Sequence, residues 1–212
     1  MSDNYILDLP KSLFDAKSEK KVIDYGCGDG SFNYKSYPLL KITSIDRRIP
    51  ETIKEFPDNV KFIINNPDEL KKIPCDFDLV IMNYVLEHVD KPLEAIWEAE
   101  SKLLNNGMLY ISIPNYRSLQ DRLFRLGTLF FGSKQGPHIQ KFTFINFVQL
   151  VYNNTNLKLE YFQIKDAEYT FMAKKKILKK LHRPWFFILK ILKRIGIDLL
   201  KNSNYIFVFK KC

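Results

Sequence analysis

The chain has 212 residues, 46% of them hydrophobic and 27% charged, which is enough apolar material for one sizeable core and too much for a disordered chain. Its net charge of +9 is unevenly placed: residues 174–212 hold ten Lys, two Arg and one Asp, and the remainder 21 basic against 23 acidic residues. A near-neutral body with a basic C-terminal fifth excludes a uniformly basic nucleic-acid binder.

The first residues, MSDNYILDLPKSLF, lack the basic start and long apolar run of a secretory signal. Nowhere do about 18 apolar residues run together, so no membrane-spanning helix is expected. Cys27, Cys75 and Cys212 show no paired spacing for a metal knuckle or a disulfide framework. A reducing, cytoplasmic setting and no metal site are therefore expected.

In chain order, strand signals fall on Lys21–Tyr25 (KVIDY), Ile42–Ile45 (ITSI), Val60–Ile64 (VKFII), Phe77–Met82 (FDLVIM) and Met108–Ile113 (MLYISI). Between the last two, KPLEAIWEAESKLLNNG spaces Leu93, Ile96, Trp97, Leu103 and Leu104 as a helix, with Gly107 as its stop. Beyond Asn115, a helix is expected over Arg117–Phe131 and a second over Phe144–Tyr152, capped by Thr143. Leu157–Ile164 alternates as a strand, and Tyr205–Phe209 (YIFVF) is strongly β-prone, as an inner strand or an exposed edge. Strand–helix alternation implies crossover connections and a mostly parallel sheet of about seven strands with helices on both faces. Ligands then bind beyond the carboxyl ends of the strands, where this chain carries Asp24 to Gly30, Asp46, Asn66, Asn83 and Asn115.

The first of those ends, VIDYGCGDGSF, sets Gly26, Gly28 and Gly30 at alternate positions. Glycine permits positive φ and close approach of a ligand to bare backbone. A helix starting near Gly30 would add amides favourable to an anion. The dinucleotide fingerprint G-x-G-x-x-G has a different spacing. G-x-G-x-G with Asp24 two residues upstream resembles motif I of the class I S-adenosylmethionine-dependent methyltransferases. FDLVIMNYVLEHVDKP and LLNNGMLYISIPN resemble the fourth- and fifth-strand regions of that superfamily, and the likeness covers about Lys20 to Asn115.

The resemblance implies a Rossmann-like methyltransferase fold and S-adenosylmethionine as cofactor. It places the methionyl portion on Asp24, Gly26, Cys27, Gly28 and Gly30, and the ribose on Asp46, 20 residues after Gly26. Arg47 would lie along the adenine, and Asn83 and Tyr84 beneath the methionine and sulfonium. Where relatives often have an acid for the adenine amino group, this chain has Asn66 or Asn65, whose amide oxygen can still accept that bond.

Methyl transfer to a hydroxyl calls for a base, and only His88, His138 and His182 exist. His88, in LEHV, reads as a packing and hydrogen-bonding residue, and His182 as surface. His138, in GPHIQKFT, follows the fifth strand where acceptor loops lie in this superfamily, and is the candidate base or acceptor ligand. IPNYRSL…GPHIQKFT resembles small-molecule and sugar-directed members of the methyltransferase 11/12/23 groups. Tyr116 and Arg117 could line the acceptor pocket.

From Ile177 onward, Leu178, Leu181, Trp185, Ile188, Leu189, Leu192, Ile195 and Leu199 form a helical stripe with lysines and arginines mostly off it. That pattern describes an in-plane helix on an anionic membrane surface, or an insertion packed on the domain. The expected organisation is one domain: a cofactor half (1–115), an acceptor side (116–173), the basic amphipathic segment (174–203) and a last strand (204–212). The function read is O-methylation of a small molecule or sugar, extending to lipid-linked or cell-surface glycan precursors at the inner face of a membrane. Two alternatives stand beside it: a non-catalytic methyltransferase-like partner protein, and a nucleic-acid methyltransferase. The second is disfavoured because MNYV stands where an N-P-P-Y box would be.

Overall fold

A computed structural model describes residues 7, 9–50, 55–118, 121–122, 125–126, 137–166 and 203–212. Seven strands form one sheet: β1 (Lys20–Tyr25), β2 (Leu40–Asp46), β3 (Val60–Ile64), β4 (Phe77–Asn83), β5 (Leu103–Pro114), β6 (Leu157–Lys165) and β7 (Asn204–Lys211). Their order is β3-β2-β1-β4-β5-β7-β6, parallel from β3 to β5, with β7 antiparallel to both of its neighbours. The described α-helices are α1 (Pro67–Lys71), α2 (Pro92–Lys102) and α3 (Phe144–Tyr152).

The central strands read as near-continuous apolar runs because both of their faces are covered. Along β4, Val80 and Met82 point to one face, and Leu79 and Ile81 to the other. On the first face they meet Ile96 and Ala99 of α2 and Phe147 and Val151 of α3. On the second they meet Leu9, Phe14, Tyr34 and Tyr37, from the N-terminal segment and a 3₁₀ turn at Tyr34–Ser36. Strand order runs outward through β2 and β3 on one side of β1 and through β4 and β5 on the other, so the crevice lies between the carboxyl ends of β1 and β4.

Two local differences from the sequence reading have physical causes. Helix α2 stops at Lys102 rather than near Gly107, because Leu103 turns into the core beside Phe77 and opens β5 five residues earlier. The register shifts there, with Asn106 at φ +66° and no room for a Cβ on Gly107, which would stand 2.9 Å from two carbonyl oxygens. No α-helix begins at Gly30; the 3₁₀ turn follows instead, because the Tyr34 hydroxyl is drawn back into the core. Of the two places left open for YIFVF, the structure shows the inner one, with β7 paired on both sides.

The α3 helix begins as expected, with a capping box between Thr143 and Asn146. Within the expected 117–131 helix, the pairs 121–122 and 125–126 are helical. The basic segment from 174 to 200, with His182, lies outside the described residues. Among the described residues no helix is long and apolar enough to cross a membrane.

Candidate active site

The glycine loop leaves β1 in a conformation that demands glycine three times: φ is +67° at Gly26, +52° at Gly28 and +97° at Gly30. Space separates their roles. A Cβ on Gly26 would stand 2.6 Å from Val85 Cγ2, so this glycine lets the turn after β4 close on the loop. A Cβ on Gly28 would meet nothing within 4 Å, so that position faces the open crevice.

Asp24, expected to hold the methionyl group, is fully buried and turned inward. Its carboxylate accepts from the Ser31 N–H at 3.1 Å, the Ser31 hydroxyl at 2.7 Å and the Tyr34 hydroxyl at 2.6 Å, and Ser44 in turn donates to Tyr34 at 3.0 Å. Burial pushes its carboxyl up to about 6, against those bonds. The structure thus gives Asp24 the task of shaping the loop. Cys27 is buried, its N–H donates to the Ile45 carbonyl at 3.1 Å, and burial pushes its thiol far above the ordinary range.

The amides of Gly26 and Cys27 go to Ile45, that of Gly30 to Cys27, and that of Ser31 to Asp24. The loop therefore offers a ligand bare backbone and room more than a fan of amides. The Gly28 N–H donates to Asp46 Oδ2 at 2.8 Å, and the Arg48 N–H to Asp46 Oδ1 at 3.2 Å. Arg47 is exposed just beyond β2.

Asn66 caps α1: its side-chain oxygen accepts from the Glu69 N–H at 2.9 Å, while Asn65 donates its own N–H to the Asp46 carbonyl. Asn83 ends β4 half-buried, opposite Ser112. Tyr84 follows at φ +57°, an uncommon conformation for a tyrosine, with its N–H on the Ser112 carbonyl and its ring largely exposed. The structure thus brings Gly28, Asp46, Asn66, Asn83 and Tyr84 to the carboxyl end of the sheet, where the sequence placed them.

His138 lies beside a group that spacing alone did not reveal. Its Nδ1 is 2.6 Å from Asp121 Oδ1, and Arg125 Nε donates to Asp121 Oδ2 at 2.6 Å. The remaining guanidinium nitrogens of Arg125 donate to the carbonyls of His138 and Gln140, and Tyr116 lies under that guanidinium at 5.0 Å. Burial opposes ionisation of Asp121, but the bonds from His138 and Arg125 outweigh it and hold the carboxyl below its ordinary range. The His88 ring sits edge-on to His138 at 5.0 Å, its Nδ1 3.1 Å from the Pro137 carbonyl. Burial, with the neighbouring His138 and Arg47, lowers the His88 pKa.

Glu87 completes the group. It is 1% exposed, burial pushes its carboxyl up to about 8, and neither carboxyl oxygen has a hydrogen-bond partner. Its main-chain carbonyl accepts from the amides of Ile139 and Gln140, which fastens the His138 loop to the turn after β4. Glu87, Asp121 and Arg125 were missed because they gather from separate segments. The adjacent Glu-His pair in LEHV and the i,i+4 spacing of Asp121 and Arg125 were the only signals available.

The family model described as a methyltransferase domain matches residues 2–160. The chain belongs to that family. It is 30% identical over 124 residues, 53% of this chain and 46% of the relative, to a malonyl-[acyl-carrier protein] O-methyltransferase of Halalkalibacterium halodurans. It is 29% identical over 119 residues, 51% of this chain and 43% of the relative, to the mitochondrial ubiquinone biosynthesis O-methyltransferase of Schizosaccharomyces pombe. The chain spans less than half the length of these curated relatives. Among solved structures, phosphoethanolamine N-methyltransferase 2 of Haemonchus contortus in complex with S-adenosyl-L-methionine superposes with a TM-score of 0.64 at 14% identity, covering 97% of this chain and 51% of that one. The fold is that of the S-adenosylmethionine-dependent methyltransferases.

Proposed function

We propose that this protein is a class I S-adenosylmethionine-dependent methyltransferase that methylates a hydroxyl oxygen of a small molecule or sugar. The observation that carries the reading is the junction of two sites at one sheet end. Gly28 and Asp46 form the cofactor side, and the turn that packs on Gly26 leads within three residues to Glu87, His88 and the His138 loop. Membership of the methyltransferase-domain family supports it, as do two relatives that are both named O-methyltransferases.

In this reading the Asp46 carboxylate takes the ribose hydroxyls. The open backbone at Gly28 would hold the methionine end of the cofactor. When bound, S-adenosylmethionine supplies an activated methyl group, so the protein's work is alignment and exclusion of water. His138 Nδ1 donates its proton to Asp121, which leaves the Nε2 lone pair to meet the acceptor hydroxyl. Nε2 would take the hydroxyl proton as the acceptor oxygen accepts the methyl group that the bound cofactor would supply. The products are the methyl ether and S-adenosylhomocysteine.

A cytoplasmic location belongs to the same proposal. So does contact of the basic 174–200 segment with an anionic inner membrane face when the acceptor is lipid-linked.

The test is incubation with methyl-labelled S-adenosylmethionine and a panel of phenolic quinone precursors, sugars and lipid-linked sugars, read as label transfer by mass spectrometry. Transfer to oxygen in one class supports the proposal. Cofactor binding with methylation of a nucleic acid or a nitrogen acceptor instead would contradict the hydroxyl assignment. A folded chain that binds no cofactor would point to a non-catalytic partner protein.

A further inference from the structure

Among the described residues, one group of His, Cys, Asp or Glu side chains brings three possible metal ligands together: Glu87, His88 and His138, whose donor atoms all lie within 4.8 Å of one another. We infer that these three side chains form a binding site for a divalent cation of the Zn²⁺, Mn²⁺ or Fe²⁺ class, placed to receive the acceptor oxygen. The inference rests on the proposed function and refines the part His138 plays in it.

The first argument is the tautomer of each ring. His88 Nδ1 lies 3.1 Å from the Pro137 carbonyl, which can only accept, so that nitrogen carries the proton. His138 Nδ1 lies 2.6 Å from the Asp121 carboxylate, which likewise accepts. Both rings therefore carry their lone pair on Nε2. A ring whose far nitrogen donates to a carbonyl or a carboxylate is the arrangement that orients metal-binding histidines and raises their basicity.

The second argument is Glu87. A buried carboxyl whose oxygens find no hydrogen-bond partner is costly, and a bound cation would remove that cost. Its Oε1 stands 4.0 Å from His88 Nε2. Three donors around a cation at about 2.1 Å lie roughly 3–3.5 Å apart, so side-chain rotations of about an ångström would close the set.

The surrounding charges permit this. Arg125 is neutralised by Asp121 and spends its other nitrogens on the carbonyls of His138 and Gln140 rather than on the three ligands. Arg47, which is felt at His88, is exposed just beyond β2. Two imidazoles and one carboxylate suit borderline cations better than Ca²⁺ or Mg²⁺, and three protein ligands leave positions open. A hydroxyl bound there loses its proton to solvent because the cation stabilises the oxyanion, and His138 acts by holding the metal.

The experiment uses the full chain, stripped with chelator and titrated with Zn²⁺ by calorimetry and with Co²⁺ by visible spectroscopy, with and without S-adenosylhomocysteine. We expect one equivalent of each metal, with Co²⁺ bands that show nitrogen ligation. Glu87→Gln, which keeps size and removes the buried charge, and His138→Asn should each weaken Zn²⁺ by at least about a hundredfold, and Asp121→Asn by about 10–100-fold. S-adenosylhomocysteine affinity in these variants should stay that of the wild type, which also shows that they fold. Wild-type chain that binds S-adenosylhomocysteine but no metal would overturn the cation site and return His138 to direct base. Metal binding unchanged in Glu87→Gln and His138→Asn would overturn it equally. Failure to bind S-adenosylhomocysteine at all would sink the cofactor reading on which the site depends.

Discussion

The N–H of Gly28 donates to the carboxylate of Asp46 at 2.8 Å and so ties the loop after β1 to the end of β2. The Arg48 amide takes the other oxygen of the same carboxylate. A carboxylate has about four acceptor sites, so two remain, one on each oxygen, for a pair of neighbouring hydroxyls. One acid thereby ties the loop to the end of β2 and, in the proposed function, would take the ribose hydroxyls.

The three glycines are predicted to differ in what they protect. Gly26→Ala combines a positive φ with a contact of 2.6 Å to the stiff Val85 side chain, and should cost about 2–5 kcal/mol of stability. Gly28→Ala carries the backbone strain alone, about 1–2 kcal/mol, but fills the crevice. Urea unfolding should therefore show the larger loss for Gly26→Ala. Calorimetry should show Gly28→Ala folded and at least about tenfold weaker for S-adenosylhomocysteine.

The buried Asp24 makes stability depend on pH. Its carboxyl stands near 3.8 when unfolded and at about 6 when folded, so between those values the folded chain holds the extra proton. The stability this group contributes is complete below 3.8 and is lost as pH rises through 6. The loss approaches about 1.4 kcal/mol per pH unit within that window. Other groups titrate too, so the measurement is a difference: unfolding free energies of wild type and Asp24→Asn from pH 4.5 to 7. Wild type minus variant should fall as pH rises, then flatten above 6; a rising difference would refute the assignment.

Asn66 gives up its side-chain oxygen to begin α1. Asn66→Ala should lose about 1 kcal/mol from the missing cap, whereas Asp caps as well as Asn does. Asn66→Asp also restores the acid that relatives often set against the adenine amino group. Thermal melts should place Asn66→Asp level with wild type and Asn66→Ala below it. Cofactor affinity should rank Asn66→Asp first; identical affinities would separate Asn66 from adenine recognition.

Asp121 acts through His138 and is a positioning residue. In Asp121→Asn the amide can donate to Nδ1 and so move the ring proton to Nε2, removing the lone pair from the acceptor side. Nitrogen-15 spectra of the His138 ring should show that reversal, which a purely structural role would not produce. Methyl transfer should fall about 10²–10⁴-fold while S-adenosylhomocysteine affinity holds.

Much of the cofactor side was legible because its signals are local. Strand runs end in residues at fixed offsets, and Gly26, Gly28, Gly30 and Asp46 fell where motif spacing put them. The same locality failed at Asp24: one dimension shows an acid near the loop, but not that Tyr34 and Ser31 turn it inward. Helix α2 was drawn too long because Leu103 continues helical spacing, and only its pairing with Phe77 in the sheet decides otherwise. The cluster around His138 was least legible, since Glu87, His88, Asp121, Arg125 and His138 become neighbours only through the folded loops. No spacing rule links residues 88 and 138.

The most direct measurement is calorimetric titration of the purified chain with S-adenosylhomocysteine, beside Asp46→Ala shown to be folded by its thermal melt. The account predicts one micromolar site in wild type and a loss of at least about a hundredfold in Asp46→Ala. A folded wild type that binds nothing, or Asp46→Ala binding as tightly as wild type, would contradict it.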